Sequence, residues 1–194
     1  MISSKTFVIN LQKRPERYLK FTKQCPLTDV IRFNAIDGEN IKYVLSNFNT
    51  LNKGETGCFM SHICLWRKLL EDTSEYFIIL EDDAIFSDNF VNKLNEVLSS
   101  FNTFETILYL GGRFEPNYRM KTCIHINNDV VKYDYNKQWD AWDCDRTTHA
   151  YIISKHICKL LLDNLTNKAF SNLPADLYIF TVLQFYKKDI FHVN

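Results

Sequence analysis

The stretch from Tyr76 to Phe86 constrains this chain more than any other. Five apolar or aromatic residues, Tyr76-Phe77-Ile78-Ile79-Leu80, run directly into three acids, Glu81-Asp82-Asp83, before Ala84-Ile85-Phe86 restores the apolar pattern. An unbroken run of that length suits one strand buried on both faces. Side chains alternate along an extended backbone, so Glu81 and Asp83 point one way and Asp82 the other. Carboxylates crowded on one side repel, and a cation or a raised pKa relieves the repulsion. A hard divalent ion, magnesium or manganese, suits all-oxygen ligands and keeps positions open for the phosphates of a nucleotide. A solvated acidic turn would use the same residues, so the rest of the chain has to decide.

With 194 residues, the sequence fits a single domain, 1–194, large enough to bury a core without disulfides. Hydrophobic residues at 46% and aromatics at 14% exclude intrinsic disorder, and a net charge of zero leaves no electrostatic footprint for nucleic acid. The first apolar run, Phe7-Val8-Ile9, is too short for a signal-peptide core or a membrane span. The six cysteines, Cys25, Cys58, Cys64, Cys123, Cys144 and Cys158, have no Cys-x-x-Cys spacing and read as reduced thiols. A cytoplasmic location without a transmembrane segment is expected, with peripheral association or a viral source left open.

The first strand spans Thr6–Leu11, and Pro15 then opens a helix whose basic approach carries Arg14 and Arg17. In open α/β sheets ligands bind at such strand-to-helix loops, where both arginines can reach a diphosphate. A second strand, Val30–Ala35, closes at Asp37-Gly38, where Asp37 either accepts from a base or ribose or caps the next helix. An amphipathic segment covers Glu39–Phe48, and Gly54 opens a helix to about Glu71. Cys58, Ser61, His62, Leu65 and Leu69 share one face of that helix. Ser61 and His62, polar on an apolar face, are expected to brace the acidic loop or reach the ligand, with bracing favoured. Lys53 and Glu55 stand at the helix mouth.

Asp88 is expected to cap a helix through Phe101, and Thr106–Leu110 is a strand ending at Gly111-Gly112-Arg113. Cys123–Ile126 and Val130–Tyr135 read as a hairpin. The segment Trp139–Arg146 mixes aromatic and acidic residues, which suits a sugar because ring carbons pack on Trp while hydroxyls bond to Asp143 and its neighbours. Thr147–Ile153 is a strand, Ser154 caps a helix through Leu165, and Asp176 stands at the start of the last helix, Leu177–Tyr186, as an N-cap or as an available carboxylate. Asp189–Val193 is a final strand.

Several of these motifs, in this order, resemble glycosyltransferase family 25, which contains bacterial lipooligosaccharide galactosyltransferases and procollagen galactosyltransferases. They are Val8-Ile9-Asn10-Leu11 with Lys13-Arg14-Pro15-Glu16-Arg17, Ala35-Ile36-Asp37-Gly38, Gly54-Glu55-x-Gly57-Cys58-x-x-Ser61-His62 and Leu80-Glu81-Asp82-Asp83. Thr147-Thr148-His149-Ala150-Tyr151-Ile152-Ile153-Ser154 and Pro174-Ala175-Asp176 extend the resemblance over nearly the whole chain.

The resemblance implies a GT-A-like α/β fold, a mixed and mostly parallel sheet flanked by helices, and inverting transfer of galactose or glucose from a UDP-sugar. The acceptor is a hydroxyl of a glycan or of hydroxylysine in a collagen-like protein. Asn10, Leu11, Arg14, Arg17, Asp37, Gly38, Lys53, Gly54, Ser61 and His62 would form the nucleotide pocket. Glu81, Asp82 or Asp83 would hold manganese or magnesium. The motif departs from a strict Asp-x-Asp, so the ligating pair stays open between Glu81/Asp83 and Asp82/Asp83. Asp176, then Asp143, then Glu55 are candidates for the base. Members usually continue past the last strand, so a shortened carboxyl terminus is expected. A catalytically silent UDP-sugar binder of the same fold is the alternative. A nucleotidyltransferase is less suited, because no Gly-rich phosphate loop lies near the amino terminus.

Overall fold

The computed structural model describes residues 4–42, 49–100, 106–111, 123–125, 130–134 and 147–193. Its strands are β1 Ser4–Asn10, β2 Val30–Asn34, β3 Tyr76–Glu81, β4 Ile107–Tyr109, β5 Cys123–His125, β6 Val130–Tyr133, β7 Ala150–Ser154 and β8 Ile190–Val193. They form one eight-stranded sheet in the order β2-β1-β3-β7-β4-β8-β6-β5. β1 pairs in parallel with β2 and β3, and β4 with β8. β7 runs antiparallel between β3 and β4, while β6 is antiparallel to β8 and β5. Only β7 and β6 therefore oppose the other strands, and the sheet is mixed and mostly parallel, as the sequence predicts.

Helices α1 Pro15–Gln24, α2 Lys53–Glu71, α3 Phe90–Ser100, α4 Lys155–Asp163 and α5 Ala175–Phe185 cover it. The strands sort their side chains by parity. Phe7 and Ile9 of β1, Phe77 and Ile79 of β3, and Tyr151 and Ile153 of β7 enter one core with Trp66 of α2, Ile157 of α4 and Tyr178 of α5. Val8, Tyr76, Ile78, Leu80 and Ile152 enter the other, with Phe21 of α1 and Leu94 and Val97 of α3. Each large side chain sealed this way contributes about 1.5–3 kcal/mol through burial. This two-layer packing is why β3 is apolar without interruption.

Local signals set the helix ends. Asn52 accepts from the Glu55 N–H at 2.9 Å while Glu55 accepts from the Asn52 N–H at 3.0 Å, a reciprocal cap that starts α2. Ser154 caps α4, as expected. Among the boundaries that differ from expectation, two have a clear local cause. α3 starts at Phe90, with the Asn89 carbonyl taking the Lys93 N–H, so its first bonded turn begins one residue beyond Asp88. Pro174, not Asp176, occupies the N-cap position of α5, because a proline fits a helix entrance and leaves Asp176 inside the first turn. The amphipathic reading of Glu39–Phe48 survives only as a 3-10 turn at Gly38–Asn40, residues 43–48 lying outside the described set. Cys25, Cys58, Cys64 and Cys158 are free thiols. No helix among the described residues is long and apolar enough to cross a membrane.

The end of α2 is tied to β1 by Lys5, whose Nζ lies 2.5 Å from Asp72 Oδ2, and Asp72 also accepts from the Ser74 N–H at 2.9 Å. The hydrogen bond from Lys5, with that of Ser74, holds the Asp72 carboxyl well below the usual carboxylate range. A depressed folded-state pKa stabilises the fold fully above about pH 4 and loses that contribution as the pH falls toward the folded value. Asp72→Asn should therefore lower stability at neutral pH and flatten the acid side of a melting-temperature profile. A variant profile parallel to wild type between pH 5 and pH 2 would contradict this.

Candidate active site

The carboxyl ends of β1, β2 and β3 meet at one edge of the sheet, where parallel strands open toward a ligand. The parity of β3 carries on into the acids. Glu81 follows Phe77 and Ile79 to the α2 face, and Asp82 follows Leu80 to the α1 face. Asp82 is accordingly taken up by the protein. Asn10 Nδ2 donates to its Oδ2 at 2.6 Å, and Arg17 pairs with its Oδ1. Asn10 is buried at the end of β1. Its Nδ2 also donates to the Arg14 carbonyl at 3.1 Å, and its Oδ1 accepts from Arg32 Nη2 at 2.5 Å. Burial raises the Asp82 pKa, opposed by the Asn10 hydrogen bond and by Arg17.

Glu81 faces a different set of partners, and Asp83 shares Arg17 with Asp82 while also nearing His149. β7 runs antiparallel to β3, so the start of β7 lies beside the end of β3, and the Glu81 N–H donates to the His149 carbonyl at 2.8 Å. Thr148 Oγ1 donates to Glu81 Oε1 at 2.5 Å, and His62 Nε2 lies 3.5 Å from the same oxygen. Burial would raise the Glu81 pKa, but His62 and Thr148 pull it down to about 2. Asp83 has Oδ2 3.0 Å from Arg17 and Oδ1 3.7 Å from His149 Nε2. One ligand atom each from Glu81, Asp83 and His149 lies within 4.8 Å of the other two. Two carboxylates and an imidazole on a half-exposed edge fit a six-coordinate divalent cation, and the nitrogen favours manganese over magnesium. Glu81, Asp83 and His149 thus cluster, while Asp82 is turned into Asn10 and shares Arg17 with Asp83.

A cleft of about 340 Å³ opens beside these acids. Its floor is Ile9 of β1 and Leu11 just past its end, its walls are Ala35 to Glu39 on one side and Lys53, Gly54, Gly57, Cys58 and Ser61 of α2 on the other, and its basic residues are Lys13, Arg17 and Lys53. A second hollow, lined by Leu11, Gln12, Lys13, Ala35, Ile36, Asp37, Asn40 and Ile41, prolongs it past Asp37. Close backbone contact builds the wall. A Cβ on Gly57 would sit 2.6 Å from the Ile36 carbonyl, and one on Gly38 would sit 1.7 Å from the Lys53 carbonyl. Ser61 Oγ fastens the same junction, accepting from the Ile36 N–H at 2.8 Å and donating to the Gly57 carbonyl at 2.7 Å.

The residues singled out from sequence fall into three groups. Leu11, Arg17, Asp37, Gly38, Lys53, Gly54, Ser61, Glu81, Asp82 and Asp83 line the cleft. Asn10 and His62 stand behind it as braces, and Arg14 turns outward to Glu16, its Nε 2.6 Å from Oε1. Asp37 both caps the 3-10 turn and pairs with Lys13 at 2.6 Å. Among the candidate bases, Glu55 is held in the α2 cap and lies outside the lining, because its carboxylate answers the Asn52 N–H. Asp176 accepts from the Leu177 N–H at 2.8 Å and also lies outside the lining. Asp143 lies outside the described residues. Lys13, Arg32, Cys58, Thr148 and His149 join the site beyond the residues that the sequence points to. Cys58 had a signal, one turn ahead of His62, while Arg32, Thr148 and His149 reach the site only through strand pairing.

The Asn10 network predicts a measurable loss. Asn10→Leu removes both donor and acceptor and leaves buried Asp82 and Arg32 short of partners, at a cost of about 1–3 kcal/mol. Chemical denaturation should show it as a lower midpoint with an unchanged slope. A midpoint equal to wild type would mean the network contributes nothing.

A model of the family described as "Glycosyltransferase family 25 (LPS biosynthesis protein)" matches residues 3–179. Among curated relatives, "Procollagen lysyl hydroxylase and glycosyltransferase" of Acanthamoeba polyphaga mimivirus is 27% identical, over 91% of this chain and 21% of its own length. "Procollagen galactosyltransferase 2" of Homo sapiens is 30% identical, over 89% of this chain and 29% of its own. "Inactive glycosyltransferase 25 family member 3" of Mus musculus is 27% identical, over 47% of this chain and 18% of its own. The chain thus spans less than a third of the length of each of these relatives. The match of the family over residues 3–179, joined to the acids and glycines that build the cleft, shows that this chain belongs to glycosyltransferase family 25.

Proposed function

We propose that the chain transfers a hexose, galactose or glucose, from a UDP-sugar to a hydroxyl of a glycan or of a collagen-like protein, with inversion. The observation that carries this reading is the pairing of Glu81 and Asp83 on one side of a strand end, with His149, at the mouth of a cleft lined by Lys13, Arg17 and Lys53. Glu81, Asp83 and His149 would hold a manganese or magnesium ion, which would neutralise charge developing on the leaving diphosphate. Arg17 already bridges Asp82 and Asp83 and can turn one face of its guanidinium to a phosphate. Lys13 pairs with half-buried Asp37 and Lys53 with exposed Glu39, and each can exchange that partner for phosphate oxygens. The hollow past Asp37 has room for the nucleoside.

An inverting displacement needs a base beside the acceptor hydroxyl. With Glu55 committed to its cap and Asp176 away from the cleft lining, Asp143 is the carboxylate proposed for that role. Asp143→Asn should keep UDP binding and lose transfer, and retained transfer would remove Asp143 from the role. The reading as a whole is tested by incubating the chain with radiolabelled UDP-galactose or UDP-glucose, with and without manganese, and measuring released UDP and glycosylated acceptor. Metal-dependent turnover of one donor supports it. A second reading, a silent UDP-sugar binder, draws on the family's inactive mouse member. It predicts binding of the same donors with no turnover of any.

A further inference from the structure

Behind the acid pair lies a second cluster of different chemistry. Cys58 and His62 stand one turn apart on α2, and one ligand atom each from Cys58, His62 and Glu81 lies within 4.8 Å of the other two. His62 is fully buried, and its Nε2, sealed from solvent, makes no well-formed hydrogen bond and has Glu81 and Cys58 as its neighbours. The carboxylate beside it among the described residues, Glu81 Oε1, stands 3.5 Å away, and the other ring nitrogen is already committed, with Nδ1 2.7 Å from Tyr151 Oη. Trp66 Nε1 donates to that hydroxyl at 3.2 Å and fixes it in turn. A ring held through Nδ1 and aimed through Nε2 at a thiol and a carboxylate has the arrangement in which proteins present histidine to a metal. Cys58 also lines the cleft, so an ion can enter from the donor side.

We propose that Cys58, His62 and Glu81 form a soft transition-metal site that takes zinc, separate in ligand chemistry from the oxygen-rich edge at Glu81, Asp83 and His149. A thiolate, an imidazole and one carboxylate oxygen make three corners of a tetrahedron, and the fourth opens on the cleft. A thiolate ligand discriminates for zinc and against magnesium and manganese. Loading replaces the Cys58 thiol proton, which is released to solvent, while His62 binds as the neutral ring with its proton on Nδ1 beside Tyr151 Oη. Glu81 belongs to both clusters, so zinc here withdraws a ligand from the outer ion. This last consequence rests on the transfer reading, and the site itself does not.

The test uses cobalt as a spectroscopic stand-in for zinc on the full chain, freed of metal beforehand. The expected result is one cobalt bound per chain with a thiolate-to-cobalt charge-transfer band that zinc displaces stoichiometrically. The band should vanish in Cys58→Ala and persist in Cys64→Ala and Asp83→Asn, and His62→Gln should weaken cobalt binding roughly 10-fold or more. Melting curves on each variant separate a lost ligand from a lost fold, and a folded Cys58→Ala protein is the deciding sample. A band that survives in folded Cys58→Ala, or that is absent from wild type, overturns the proposal. A zinc-displaceable cobalt band, in a chain that shows no sugar transfer with manganese once freed of zinc, keeps this site and sinks the transfer reading instead.

Discussion

Asp83→Asn should lower sugar transfer by at least roughly 100-fold, because a lost charge at the metal edge removes about 3 kcal/mol or more of stabilisation from the developing diphosphate. The fold should tolerate it. Asp83 is half exposed, and its contacts are to Arg17 and His149 at the surface, not to the core. The contrast that gives the experiment its force is Asp82→Asn. Asp82 is buried against Asn10, and an asparagine oxygen can still accept from Asn10 Nδ2. Asp82→Asn should therefore change the melting temperature more than the metal dependence, and Asp83→Asn the reverse. The two variants assayed side by side, for transfer against manganese concentration and for melting, decide which pair of acids serves the ion. Equal losses of metal dependence in both would show that the parity of β3 does not govern the site.

Gly38→Ala should be among the most damaging single-methyl changes in the chain. Its added Cβ would lie 1.7 Å from the Lys53 carbonyl and 2.6 Å from the carbon of that group, both backbone atoms at the start of α2. Neither can swing aside as a side chain would, so the helix or the loop after β2 has to move. Gly57 meets the same junction from the helix side, with its own Cβ position 2.6 Å from the Ile36 carbonyl and 2.7 Å from Gly38 N. Overpacking of this kind typically costs about 1–3 kcal/mol, which in a domain of this size lowers the melting temperature by roughly 2–12 °C. Displacement also widens the cleft, so UDP binding should weaken along with stability. The check is a melting curve and a UDP titration on the same sample. Gly54→Ala is the control, since its Cβ position meets only Asn52 Oδ1, at 3.3 Å. A Gly38→Ala protein as stable as Gly54→Ala would mean that the close approach of α2 to the loop is unimportant.

Much of this was legible because β3 obeys a period of two. Alternation alone separates Glu81 from Asp82, and the structure keeps that separation, with His62 of α2 beside Glu81 and Arg17 of α1 beside Asp82, while Asp83 lies past the end of β3 in a turn and shares Arg17 with Asp82. The apolar stripe of α2 likewise marks Ser61 and His62 as polar residues in need of partners: His62 braces Glu81 of the acidic motif, whereas Ser61 lines the cleft and fastens the loop after β2. What was not legible depends on strand neighbours distant in sequence. Thr148 and His149 meet the acids because β7 pairs antiparallel with β3, putting Leu80 opposite Ala150. No local pattern announces which strand will lie next to β3, or in which direction. Arg32 was hidden for the same reason: β2 looks like an ordinary edge strand until its pairing sets Arg32 beside Asn10. Glu55 shows the opposite failure, a carboxylate at a helix mouth that looks free in sequence and is spent on the cap.

The most direct measurement is a thermal-shift comparison of the wild-type chain and Asp83→Asn with UDP-galactose, UDP-glucose and free UDP, each with and without manganese. A ligand that binds only the folded state raises the melting temperature in proportion to its affinity and concentration. The account predicts a shift in wild type that requires manganese and a UDP-sugar together, and its loss in Asp83→Asn at unchanged baseline stability. A wild-type chain that shows no shift with any UDP ligand, or the same shift with and without manganese, would contradict it.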